Sequence, residues 1–153
     1  MKRRTLLKGG LASGAAGFAV TAGILTPGAV FAAYPKAAFT ATDVPGALNN
    51  AIGSSDFTQS GDIKIKAPDI AENGAVVPVT VSSSIANVES ISLVVEGNAS
   101  PFVASFKMHG SDAFVSTRIK MGKTSNVLAV VKAGGSLHAT SKEVKVTIGG
   151  CGG

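Results

Sequence analysis

The sequence predicts an all-β protein: an immunoglobulin-like antiparallel β-sandwich of about seven strands, with a short N-terminal helix and a flexible C-terminal arm. From residue 62 onward, apolar residues recur at every second position, which is the period of a half-buried strand. Clusters of Gly, Asn, Ser and Pro separate these runs at spacings of about a dozen residues. The length of 153 residues allows one domain, and the 19 glycines suit many turns.

Residues 1–32 are predicted to be a signal peptide and to take no part in the fold. The pair Arg3-Arg4 precedes two leucines and an uncharged, Ala/Gly-rich stretch, a pattern typical of leaders for the twin-arginine export route. Val30-Phe31-Ala32 offers small residues for cleavage, so the mature chain is expected to start at Ala33 in the periplasm. An uncleaved membrane anchor is the alternative, because the uncharged stretch is long enough to span a bilayer. The cleavage signal and the glycines favour export, with no membrane attachment afterwards.

The mature chain carries too little net charge to indicate a nucleic-acid partner. The whole sequence has a net charge of +5, but four of its cations lie within the first eight residues. The remainder has ten Lys+Arg against nine Asp+Glu, which gives no electrostatic footprint for a polyanion. Arg118, Lys120 and Lys123 form a basic stretch that we predict on the outward face of one strand. Such a stretch is usually a solvated surface, and the other interpretation is guidance of an anionic substrate or an acidic partner.

Residues 33–61 are predicted to be an N-terminal helical segment. Its helix runs over residues 44–52, where Asp43 can act as the N-cap and Pro45 suits the first turn. Gly53 is expected to end the helix.

Residues 62–148 are predicted to form the sandwich. Its seven strand-like runs are residues 63–67, 77–81, 91–95, 102–108, 115–121, 127–131 and 142–148. The run 127–131 is apolar on both faces, which indicates a central strand. Pro78 cannot donate a hydrogen bond to a neighbouring strand, so we predict that its strand lies at an edge or contains a bulge.

No catalytic or metal-binding group is predicted. His109 and His138 stand alone in the sequence, and no Cys/His/carboxylate cluster has the spacing of metal ligands. The sequence shows no convincing Ser/His/Asp order, no phosphate-binding glycine loop and no paired carboxylates. We therefore expect a protein without cofactor or metal and without an active site of its own.

Residues 149–153, Gly149-Gly150-Cys151-Gly152-Gly153, are predicted to be a mobile arm that presents the only cysteine. Glycine lacks a Cβ, and three extended residues beyond Ile148 reach at most about 10 Å. The lone thiol of an exported chain has no internal disulfide partner, so it pairs with another molecule, carries a modification or reacts. No basic residue lies within four positions before it, so we expect a partner to activate the thiol. An incidental thiol is the alternative.

Together these features resemble the SoxY family, the sulfur-carrier subunits of the bacterial thiosulfate-oxidising (Sox) system. The resemblance covers essentially the whole chain. The residues that carry it are the twin-arginine leader, the short helix, residues 71–79 (AENGAVVPV), residues 115–122 (VSTRIKMG) and the terminal GGCGG.

The resemblance implies that Cys151 is the covalent attachment point for thiosulfate-derived intermediates and that Gly149, Gly150, Gly152 and Gly153 form the swinging arm. It also implies a heterodimer with a SoxZ-like subunit. Docking is then expected to a c-type cytochrome, a sulfate-releasing hydrolase and a sulfur dehydrogenase, and the arm would carry first a cysteine S-thiosulfonate and then a persulfide.

Two other functions stay open: an exported immunoglobulin-like structural module that uses Cys151 for an intermolecular disulfide, and a redox or metal-delivery thiol. The latter would need a second Cys or a nearby His.

Overall fold

The computed structural model describes residues 35–147; the predicted signal peptide and the predicted arm lie outside this range. Two helices come first, α1 (Lys36–Thr40) and α2 (Val44–Ile52). The strands that follow are β1 (Thr58–Gln59), β2 (Ile63–Lys66), β3 (Ile70–Ala71), β4 (Val77–Ser83), β5 (Val88–Val95), β6 (Phe102–Lys107), β7 (Phe114–Ile119), β8 (Ser125–Ala133) and β9 (Ser136–Val146). No helix within residues 35–147 is long and apolar enough to cross a membrane.

Helix α2 begins and ends where its sequence predicts. The Asp43 carboxylate accepts a hydrogen bond from the Gly46 N–H at 3.0 Å, which satisfies one of the free donors of the first turn. Gly53 ends the helix at φ +86°, a conformation that favours glycine, and its N–H donates to the Asn49 carbonyl. Helix α1, only five residues long, was not predicted.

The strands form a sandwich of two sheets, as predicted. The larger sheet has the order β1-β9-β8-β5-β6, with β3 also paired to β9, and the smaller has the order β2-β4-β7. Strand β8 is central in the larger sheet, which confirms the prediction from its two apolar faces. All seven predicted runs correspond to strands that pair antiparallel, whereas the two-residue strands β1 and β3 pair parallel to β9 and were not predicted.

The main core lies between the two sheets. The smaller sheet contributes Val77, Val79 and Val81 from β4, all at most 1% exposed. Strands β5 and β8 of the larger sheet contribute every second residue to this core. The residues between these point to the other side of the sheet, towards the helices. Burial of this apolar surface between the two sheets is the main favourable contribution to folding.

A second apolar layer covers the outward face of the larger sheet. Leu48 of α2 is fully buried there against a cluster that includes Leu128 and Val130 of β8. The ring of Phe39 packs edge to face on Phe102, with ring centroids 4.9 Å apart. The molecule therefore has three layers, and the smaller sheet alone has an uncovered outward face among residues 35–147.

Two local predictions differ from the structure. Strand β9 starts at Ser136, six residues before the predicted run. The prediction missed its first half because the apolar side chains of the two halves lie on opposite faces of the strand. Leu137 and Ala139 face the helices, whereas Val144 faces the other sheet, so the alternation looks like two shorter runs.

The prediction that the strand of Pro78 lies at an edge or contains a bulge is wrong. Strand β4 is the middle strand of the smaller sheet, with β7 paired along it from Val77 to Ser82. The pairing between β4 and β2 ends at Thr80. Pro78 therefore lies beyond the end of β2. Its missing N–H therefore costs no hydrogen bond to β2.

Candidate functional site

Cys151 and its four flanking glycines lie outside the described residues, so the structure shows the site up to its attachment. The described chain ends at Thr147, two residues before Gly149. We call residues 145–147 the arm root. The arm root is the part of the described chain from which the predicted arm would extend.

Each backbone N–H of the arm root donates a hydrogen bond. Lys145 N–H donates to the Asp69 carbonyl at 2.9 Å, and Thr147 N–H donates to the Ala71 carbonyl at 3.1 Å. Between them, Val146 N–H donates to Oγ1 of Thr124 at 2.9 Å from the opposite side. The arm root is thus held by strand β3 and by the β7–β8 loop together, and its backbone is fixed up to the last described residue.

The loop from Ala71 to Val76 closes tightly beside the arm root. The Gly74 carbonyl accepts a hydrogen bond from the Met121 N–H at 2.7 Å. A Cβ at Gly74 would lie 2.4 Å from the Met121 carbonyl oxygen and 2.8 Å from Cγ1 of Val146, so no larger residue fits without displacement. The glycine of the AENG stretch is therefore required by a close approach of two backbones, next to the arm root.

The side chain of Asn98 braces the β7–β8 loop from the other side. Its Nδ2 donates to the Lys120 carbonyl at 2.8 Å, and its Oδ1 accepts from the Gly122 N–H at 2.9 Å. These bonds tie the β5–β6 turn to the β7–β8 loop that holds Val146. Sequence reasoning did not identify Asn98 as part of the site; its only sequence signal was its place in a turn-rich segment.

The predicted basic stretch does not lie on one face. Arg118 is exposed on the outward side of β7, and Lys120 follows one residue after the strand ends at Ile119. Lys123 instead lies in the β7–β8 loop, and its Cε approaches Gly97 of the β5–β6 turn. The prediction fails for Lys123 because the residue lies beyond the end of β7 and, at an odd spacing from Arg118 and Lys120, would not share their face even in a longer strand.

Two lysines that the prediction did not group with Arg118 lie on the same surface. Lys64 and Lys66 are exposed on β2, on the outward face of the smaller sheet. Their alternation with Ile63 and Ile65 was visible in the sequence. Their position two strands from Arg118 required the order β2-β4-β7.

The histidines form no cluster in the structure. His109 lies in the β6–β7 connection and His138 in β9, and no group of three or more His, Cys, Asp or Glu within residues 35–147 could hold a metal ion. An open cleft of about 680 Å³ borders His109, lined also by Ile85, Met108 and Asp112. This cleft lies at the end of the sandwich opposite the arm root.

Comparison with known proteins fits this arrangement. Residues 48–151 match a family described as sulfur oxidation protein SoxY, and the match includes Cys151. A solved structure of the sulfur carrier protein SoxY from Chlorobium limicola f thiosulfatophilum is 48% identical to this chain, with a TM-score of 0.61. The similarity covers 67% of this chain and 94% of that one. No curated protein sequence gave a match.

The sandwich and the matched segment through Cys151 define the class as sulfur carriers of sulfur oxidation. The chain belongs to the SoxY family, which confirms the resemblance found in its sequence. The immunoglobulin-like fold agrees with that of the SoxY relative.

Proposed function

We propose that this SoxY-family protein carries thiosulfate-derived intermediates covalently on the sulfur of Cys151. The observation that carries the proposal is the hydrogen bonding of three consecutive N–H groups in the arm root, immediately before Ile148 and the first glycine pair. A fixed base followed by residues with the widest choice of φ and ψ is what a swinging tether needs. Glycines 149, 150, 152 and 153 add no side chain to obstruct entry into a narrow channel.

The chemistry begins with an oxidation. The Cys151 thiol joins the outer sulfur of thiosulfate, and the new S–S bond releases one proton and two electrons, which a c-type cytochrome enzyme accepts. The product is a cysteine S-thiosulfonate. Water then cleaves the bond to the terminal sulfonate on a hydrolase, which releases sulfate and leaves a persulfide. A sulfur dehydrogenase oxidises the remaining outer sulfur.

In this scheme the carrier needs no active site of its own. The covalent bond keeps a small, weakly contacting anion at high effective concentration for each enzyme in turn. The proposal places the carrier in the periplasm, after export by the twin-arginine route and cleavage after Ala32, as a heterodimer with a SoxZ-like subunit. The twin-arginine pair and the cleavage signal support this location.

The decisive measurement is the intact mass of protein purified from cells grown on thiosulfate. We expect mass additions that correspond to thiosulfonate and persulfide groups, removed by thiol reductants and absent from the Cys151→Ser variant. The variant should unfold at the same urea concentration as the parent, because residue 151 lies beyond the arm root. A disulfide-linked dimer as the sole modified form would instead support the structural module.

A second experiment tests the arm itself. Replacing Gly149 and Gly150 together by Val restricts φ and ψ and adds bulk. Labelling of Cys151 by a small free thiol reagent should be unchanged, whereas enzyme-coupled thiosulfate oxidation at limiting partner concentration should slow. Equal rates for parent and variant in both assays would show that the glycines have no role in delivery.

A further inference from the structure

Within the paired residues of its three strands, the outward face of the smaller sheet carries cations and no carboxylate; Asp62, whose carbonyl accepts from the Ser84 N–H, lies one step beyond Lys64. In the pairing of the three strands, Lys64, Ser82 and Phe114 lie side by side in one row. Lys66, Thr80 and Ser116 form the next row. One step towards the arm root, Pro78 pairs with Arg118. A 3.1 Å contact between the hydroxyls of Thr80 and Ser116 confirms that these positions share one face. We call Lys64, Lys66, Arg118 and the adjoining Lys120 the basic face.

The four cations of the basic face take part in no ion pair within residues 35–147. The ion pairs in that range are Lys132 with Glu89 and Lys142 with Asp69. The same range contains ten Lys+Arg and nine Asp+Glu, so the rest of the domain has six cations against nine carboxylates. A nearly neutral domain therefore has a positive face and a negative remainder. Such a charge distribution orients an approaching charged partner even when the net charge is small.

The basic face begins at the arm root. Lys120 directly precedes Met121, whose N–H bonds to Gly74, and Gly74 lies against Val146. From Arg118 the face extends towards Lys64 over four positions of β4, about 13 Å at the usual rise per residue. The four residues from Thr147 to Cys151 span at most about 14 Å. A protein seated on the basic face is therefore within reach of the Cys151 sulfur.

The composition of the basic face indicates a transient partner. Three strands about 4.8 Å apart and about five residues long present roughly 250 Å², well below the ~800 Å² that each side of a stable complex buries. Lysine is depleted from the cores of such interfaces. Exposed charges at an interface mainly raise the association rate and make it dependent on salt. These properties fit an enzyme that visits the carrier briefly better than a permanent second subunit.

We propose that the basic face is a steering surface for an acidic patch beside the channel of a partner enzyme that acts on Cys151. The inference rests on the proposed function, because it concerns the enzymes that load and unload the arm. It assigns a role to Lys64 and Lys66 as well as to Arg118 and Lys120. The occupant is an acidic protein surface, and free anions and anionic membranes are outcomes that the test separates.

The test compares two double charge reversals of equal net charge. Lys66→Glu with Arg118→Glu changes the basic face, and Lys36→Glu with Lys107→Glu changes exposed lysines elsewhere. The probe is the purified c-type cytochrome enzyme of the same system with saturating thiosulfate, and the readout is the rate of mass gain on Cys151 at limiting carrier. At low salt, near 20 mM, we expect the first variant to load about tenfold more slowly than the parent. The difference should shrink at about 500 mM salt, where charges are screened, and the control should load within about twofold of the parent.

Each result bears on one proposal. If the parent gains no mass on Cys151, the proposed function fails, whatever the variants do. If the parent loads and both variants match it at every salt concentration, the basic face does not steer. If the control variant loads as slowly as the variant of the basic face, the net charge of the domain and not the basic face controls the loading rate. A rate difference between parent and reversal variant that appears only below saturating thiosulfate would assign the face to the free anion. Loss of binding to phosphatidylglycerol vesicles with normal loading would assign it to a membrane. Either result overturns the proposal.

Folding of the variants is checked separately. Lys66 and Arg118 are exposed and make no hydrogen bond through their side chains within residues 35–147, so the urea midpoint should stay close to that of the parent. Lys66→Gln with Arg118→Gln removes the charge without reversing it, and its low-salt rate should lie between those of the parent and the reversal. A rate for the Gln variant equal to that of the Glu variant would contradict a steering mechanism.

Discussion

The two sheets of the sandwich differ in what lies on their outward faces. The larger sheet turns Val94, Leu128 and Val130 outward, and helices α1 and α2 cover them. The smaller sheet turns lysines, an arginine and hydroxyl side chains outward, together with the exposed Pro78 and Phe114, and nothing within residues 35–147 covers them. The first face contributes to stability because it removes apolar surface from water, whereas the second leaves its charges free to meet another molecule. Substitutions should therefore affect stability on one face and association on the other.

The largest expected loss of stability comes from the covered face. Leu48→Ala should lower the free energy of unfolding by about 2–5 kcal/mol, because the fully buried leucine leaves a cavity between α2 and the larger sheet. Urea unfolding at constant m value measures the change. Asn50→Ala, on the exposed side of the same helix, serves as the control. A loss below about 1 kcal/mol for Leu48→Ala would show that the helices contribute little to the fold.

A smaller loss is expected at Gly74, in the loop that joins the two sheets. Gly74→Ala places a methyl group 2.4 Å from the Met121 carbonyl oxygen, so the loop or the arm root must move, at a cost of about 1–3 kcal/mol. Gly61→Ala is the matched control, since a Cβ there meets nothing within 4 Å. Equal urea midpoints for the two variants would mean that the loop adapts freely.

The cap of α2 should matter less again. Asp43→Ala removes the carboxylate that accepts from Gly46 and should cost about 0.5–2 kcal/mol. Asp43→Asn retains an acceptor and should restore most of the stability. Thermal unfolding midpoints of the two variants measure the difference. Equal losses of stability in both would show that the charge of Asp43, and not its hydrogen bond to Gly46, stabilises the helix.

The smallest effect is expected on the uncovered face. Lys66→Ala should change the free energy of unfolding by less than about 0.5 kcal/mol, because the side chain is exposed and makes no ion pair within residues 35–147. Urea unfolding measures this change too. A loss comparable to that of Leu48→Ala would remove the contrast between the two faces.

Much of the site and the fold followed from local patterns. Period-two alternation predicted the seven main strands, because a strand exposes alternate residues to one face. Asp43, Pro45 and Gly53 predicted the limits of α2, because capping depends on residues close in sequence. The GGCGG segment and the predicted leader indicated a family membership that the comparisons confirm.

Other features depended on residues far apart in sequence. Pro78 could be placed only when the sheet order showed where β2 ends, and β9 could be recognised as one strand only when its two halves were seen to face different apolar layers. Lys66 and Arg118 are 52 positions apart, and only pairing of both β2 and β7 with β4 brings them onto one face. The sequence by itself determined where the seven main strands lie, apart from the first half of β9, and which residue carries the thiol, since these depend on local residue types. The tertiary structure decided which charges lie together beside the arm root, because that depends on strand order.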